Sequence, residues 1–142
     1  MRNQLLRHFA LLALVTLTGF LAPAKVLAQE RIPIETTEIQ DKRDKMAWKE
    51  YNQDVTSRYE KIMTQVDRMK KQMAEKKMEN PQFRKSLNKF ETKATALHER
   101  MKNADNIAPE NQEAYRKKVR SELHKLNKDY NKLMDRWEKM NS

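Results

Sequence analysis

The chain has 142 residues, 35% of them charged, with 30 lysines and arginines against 20 aspartates and glutamates and a formal net charge of +10. It has no cysteine, and its one glycine is Gly19. Disulfides and thiolate metal sites are therefore excluded. Past Gly19, so are the glycine-rich phosphate loop, the nucleophile elbow and the EF-hand loop, each of which needs glycine for a tight turn or a close backbone approach.

In chain order, residues 1–28 read as a cleavable export signal. Arg2 and Arg7 charge a short leader, Phe9 to Leu21 form an apolar run, Pro23 breaks it, and Val26 and Ala28 stand at the −3 and −1 positions before Gln29. The run is shorter than the ~18–20 residues that span a bilayer, so no transmembrane segment is expected. The expected product is periplasmic or secreted and starts at Gln29. It loses Arg2, Arg7 and Lys25 and no acid, which lowers the net charge to +7. Without a cysteine at the cleavage point, lipid anchoring through the lipoprotein route is closed.

Residues 29–36 have no apolar periodicity and include Pro33, which predicts an extended arm. Thr37 and Gln40 have capping-box spacing, so a first helix is expected near 38–79. Its seam is Trp48, Tyr51, Val55, Tyr59, Ile62, Val66, Met69 and Met73. Asn80 before Pro81 fits an N-cap followed by proline at the first helical position. The second helix, near 81–105, carries Phe83, Leu87, Phe90, Ala94, Leu97 and Met101. Pro109, followed by Glu110 and Glu113, opens a third helix near 109–141 with Tyr115, Val119, Leu123, Leu126, Tyr130, Leu133, Trp137 and Met140.

All three seams step by three and four, the helical period, and none alternates by two. The fold expected is all-α: three amphipathic helices in an up-down-up bundle with coiled-coil-like seams, occupying residues 37–142 behind the arm. Acid-before-base pairs at i,i+4 (Asp41 with Lys45, Asp67 with Lys71, Glu113 with Lys117, Asp135 with Lys139) add minor support. A first helix of that length overhangs its partners, which makes a homodimer through the surplus seam an alternative.

Few residues suggest catalysis. Ser121, His124 and Asp129 have triad chemistry, but one helix face offers neither an oxyanion hole nor a strained turn. His98-Glu99 begins like a zincin helix, yet Lys102 stands where the second histidine belongs. His98 is expected to be partly buried at a helix junction. Met63, Met69 and Met73 are soft thioethers of the kind that select Cu(I), although Met69 and Met73 also hold seam positions where methionine fills space.

The basic residues give the more pointed signal. Arg68, Lys70, Lys71, Lys76 and Lys77 close the first helix, where the dipole favours cations. Arg84 and Lys85 open the second, where it does not. A hairpin brings both groups to one end of the bundle. For an exported protein, the fitting partners are an unfolded or acidic polypeptide, lipopolysaccharide or an anionic lipid surface rather than nucleic acid.

Thr36-Thr37-Glu38-Ile39-Gln40 keeps the Thr and Gln of a Leu-Thr-x-x-Gln helix-start motif, with Thr in the place of Leu. Ile107-Ala108-Pro109-Glu110-Asn111-Gln112 echoes it with an extra residue and no Thr. In these residues, and in being small, basic, helical and methionine-containing, the chain resembles the Spy family of periplasmic chaperones and, in general character, the trimeric Skp type. The likeness covers about ten residues and implies a chaperone-like role by analogy, not a family assignment. The function expected is therefore non-catalytic and without a cofactor: an exported bundle binding a protein or envelope component through a Met/aromatic face and a basic end. A periplasmic Cu(I)-binding protein and a structural coiled-coil subunit of an envelope assembly are the alternatives.

Overall fold

The computed structural model describes residues 29–142; the export signal expected in residues 1–28 lies outside them. Among the described residues all regular structure is helical, with no strand. The helices are α1 (Thr37–Asp44), α2 (Trp48–Glu75), α3 (Pro81–Lys102) and α4 (Gln112–Asn141), with 3₁₀ turns at Ala104–Asn106 and Pro109–Asn111.

The single first helix expected over 38–79 is thus two helices. Its seam starts only at Trp48, and α1 has no buried residue, so no packing carries the helix through residues 45–47. Instead Arg116 on α4 holds the corner: its guanidinium donates to the carbonyls of Arg43, Asp44 and Met46, the last at 2.8 Å, and lies over the rings of Trp48 and Tyr51. The capping box expected from Thr37 does not form; Thr36 is the N-cap, and its side chain makes no cap hydrogen bond.

α2 also ends earlier than its charge pattern suggests. Lys77 adopts φ 50°, Lys77 N–H donates to Ala74 O at 3.2 Å, and Met78 N–H donates to Met73 O at 3.0 Å. This is a Schellman motif with lysine where glycine is the usual left-handed residue. α3 begins as expected, the Asn80 side chain accepting from Phe83 N–H at 2.9 Å with Pro81 in the first turn. It ends at Lys102, and Pro109 opens a 3₁₀ turn, so α4 starts at Gln112 rather than at the proline.

Cross-links fix the directions. Tyr51 Oη donates to Arg116 O, and Lys76 Nζ to Asn141 Oδ1, so α2 and α4 are parallel. Lys70 with Glu91, Arg100 with Glu122 and the tilted Phe83–Trp137 ring pair make α3 antiparallel to both. The up-down-up order follows. Every seam residue packs in one core, with only Trp48, Met101 and Met140 partly exposed at its ends; Ala104 and Met134 join it. The overhang expected of the first helix is absent, because α1 breaks away and the α2 seam is buried within the chain from Tyr51 to Met73. None of the four i,i+4 pairs closes as an ion pair; Asp135, for one, turns to Arg31 instead.

The arm is extended as expected, but it is not free. It lies as a strap in the groove between parallel α2 and α4. Asn127 Nδ2 donates to Pro33 O at 3.0 Å, Tyr130 Oη to Glu30 O at 2.8 Å and Asn131 Nδ2 to Ile32 O at 3.1 Å. Arg31 reaches Asp135 and Glu138, and Ile32 packs against the core. Glu35 meets Arg43 and Arg58, which also share Asp54. Strap and α1 together therefore run antiparallel to α4, and the chain reverses at residues 45–47 into α2.

Candidate functional site

The sequence put Arg68, Lys70, Lys71, Lys76, Lys77, Arg84 and Lys85 at one basic end, and the structure divides them. Lys70 pairs with Glu91 at 2.6 Å, a hydrogen bond that raises the pKa of its ammonium. Lys76 donates to Asn141 at 2.7 Å, tying the end of α2 to the last turn of α4. Arg84 stands with Lys77, Met78 and Glu79 in a groove between the end of α2 and the start of α3. Lys85 points to the other flank of α3, into a groove with Arg136, Lys139 and Met140. Lys71 is exposed on α2. Arg68 is only half-exposed and acts electrostatically on the Tyr130 phenol, so it belongs to the strap side rather than to the hairpin. No acid stands in the first turn of α3, so Arg84 and Lys85 oppose the helix dipole there, the nearest acid in the chain being Glu79 just before the N-cap.

A second set of cations went unrecognised in the sequence. Ser86, Lys89, Lys93, Asp129, Lys132 and Arg136 line a groove between α3 and α4, and it continues at Ser86 and Arg136 into the one holding Lys85 and Lys139. Lys93 and Lys132 both turn to Asp129, while the Arg136 guanidinium donates to the Ser86 hydroxyl. The signal was available as spacing: Lys85, Lys89 and Lys93 recur every four residues, and Lys132, Arg136 and Lys139 at four and three, so each set shares a helix face.

The Met/aromatic face expected to be adaptable surface is mostly core. Met69 is 0% and Met73 8% exposed, Met63 is partly buried against the same cluster, and Tyr51, Phe83, Phe90, Tyr130 and Trp137 are buried. Met69 and Met73 fill space rather than present thioethers. Met78 and Met140 border the basic grooves and are both partly exposed, and the buried Met73 lies at the base of the one holding Met78. Burial raises the pKa of Tyr51 and Tyr130 to about 12, each phenol donating to a backbone carbonyl.

Ser121 is exposed, and Asp129 is engaged by Lys93 and Lys132. His98 is exposed rather than partly buried, its ring stacked on Tyr59 at 5.4 Å. Among the described residues, no group of three or more histidines, aspartates or glutamates is arranged to hold a metal ion, and no helix is long and apolar enough to cross a membrane. Compared with known family models, curated proteins and solved structures, the chain gives no match.

Proposed function

We infer that this is a non-catalytic exported binding protein that captures a protein or an anionic envelope component at the basic end of its bundle. The partner classes are an unfolded polypeptide, lipopolysaccharide or a lipid surface. One observation carries the reading: this end of the bundle has two basic grooves, each bordering a partly exposed methionine, with Lys77 and Arg84 beside Met78 and with Lys85, Arg136 and Lys139 beside Met140. Such a cluster raises the rate of encounter with an anionic partner. Flexible thioethers then offer contacts that adapt to different apolar groups. The placement of Arg84 and Lys85 against the dipole is a cost to the helix, and binding supplies a reason to keep it.

The test is Arg84→Glu with Lys85→Glu. It should leave the helices intact or slightly steadier by circular dichroism, because acid replaces base in a first turn. It should slow both suppression of an unfolded client's aggregation and binding to lipopolysaccharide vesicles. Wild-type binding should weaken as salt rises, since the Debye length is ~8 Å at physiological ionic strength. A double variant that matches wild type in both assays would overturn the reading.

A further inference from the structure

We propose that the groove between α3 and α4 is a docking site for an extended acidic segment of a partner polypeptide. This rests on the binding-protein reading above and specifies its ligand chemistry. α4 has two flanks, and on one of them the chain already holds an extended segment. There the strap's carbonyls at Glu30, Ile32 and Pro33 accept from Tyr130, Asn131 and Asn127, and its one cation, Arg31, meets Asp135 and Glu138. The other flank is likewise a groove between two helices, and its lining is mostly cationic. Its walls are Lys85, Lys89 and Lys93 on α3 and Lys132, Arg136 and Lys139 on α4, with Asp129 as the single carboxylate.

Two features favour a peptide over a charged plane such as a bilayer. At 1.5 Å per residue the cation rows are about 12 and 10.5 Å long. In an extended chain, side chains on one face recur every ~6.6 Å, so three acidic residues at i, i+2 and i+4 cover about 13 Å, which matches the rows. Arg136 is the second feature. Arg31, Arg43, Arg58, Arg100 and Arg120 each meet a carboxylate, whereas Arg136, the one arginine lining this groove, meets the Ser86 hydroxyl and no carboxylate among the described residues. The Ser86 hydroxyl itself donates to Gln82 O at 2.9 Å, which leaves the guanidinium available to a carboxylate entering the groove.

The experiment measures fluorescence anisotropy of a labelled peptide of alternating glutamate and threonine, with a glutamine/threonine peptide and phosphatidylglycerol vesicles as comparison probes. Lys89→Glu with Arg136→Glu should weaken the acidic peptide by about tenfold or more, with unchanged circular dichroism. Lys49→Glu with Lys117→Glu makes the same change in net charge away from the groove and should cost under about threefold, as screened distant charges do. The glutamine peptide should not bind. Binding of the acidic peptide that survives the groove variant, or binding to vesicles alone, overturns the groove assignment. Sensitivity to Lys77→Glu with Arg84→Glu, which line the separate groove at the hairpin, but not to the groove variant overturns it while sparing the basic-end reading. Insensitivity to both pairs overturns both.

Discussion

The two flanks of α4 are built to opposite rules. On the flank facing α2, most charges and donors are answered within the chain: Asn127, Tyr130 and Asn131 donate to the strap, Asp135 and Glu138 accept from its arginine, and Glu35 and Asp54 answer Arg43 and Arg58, while the side-chain oxygens of Asn127 and Asn131 accept no hydrogen bond from the protein. On the flank facing α3, six cations share one carboxylate and the floor is closed by Phe90 and Leu133. A flank whose charges and donors are mostly answered within the chain contributes to stability. A flank with charge left over contributes little to stability and is free to meet something else.

The comparison breaks if substitutions on the two sides cost the same. Tyr130→Ala should have the largest effect, about 3–5 kcal/mol in urea unfolding, because it empties a wholly buried ring site and removes the clasp on Glu30 O. Glu35→Gln should cost about 1–3 kcal/mol, since it leaves Arg43 and Arg58 side by side with only Asp54 between them. Burial works against the charge of Arg58 already, so its guanidinium needs that carboxylate.

The strap flank should also carry an alkaline limit. The pKa values of Tyr51 and Tyr130 are raised to about 12 by burial, above the ordinary 10 of the unfolded chain. Between those values the native state binds more protons than the unfolded one, so their contribution is complete below pH 10 and falls as pH rises toward 12. Thermal melts from pH 9 to 12 should show this decline, and Tyr130→Phe should make it shallower.

At the hairpin, Lys77→Gly should stabilise by about 1 kcal/mol, because a left-handed φ costs lysine and not glycine. If Lys77 also takes part in capture, the same variant binds an anionic partner more weakly while melting higher. The smallest effects belong to the open groove: Lys89→Ala and Lys132→Ala should each lie within about 0.5 kcal/mol of wild type. A loss of several kcal/mol at either would mean that the groove is a structural element and not a free surface.

Legibility in the sequence follows from the range of the interaction. The seams were legible because burial imposes the 3.6-residue period on each helix separately, and from Tyr51 to Trp137 each seam position turned inward. Asn80 and Pro81 were legible because a cap is settled within four residues. The break before Trp48 was not, since its cause is Arg116, some seventy residues away. Nor was the end of α2, where the missing glycine hid a left-handed turn that Lys77 adopts anyway. The basic end was half legible: the sequence placed Arg84 and Lys85 at the hairpin, but adjacent residues on a helix face different sides, and they enter different grooves.

What the sequence alone determined is the helical class, the three seams and the chemistries excluded by having no cysteine and, after Gly19, no glycine. These depend on composition and on local period, which need no knowledge of neighbours. Only the tertiary structure decided that the arm is a strap, that the methionine seam is interior, and that lysines from α3 and α4 face one another across a groove. Each of those joins residues roughly forty to a hundred positions apart. Helix packing chooses such partners through the shape and charge of whole faces, which no single stretch of sequence contains.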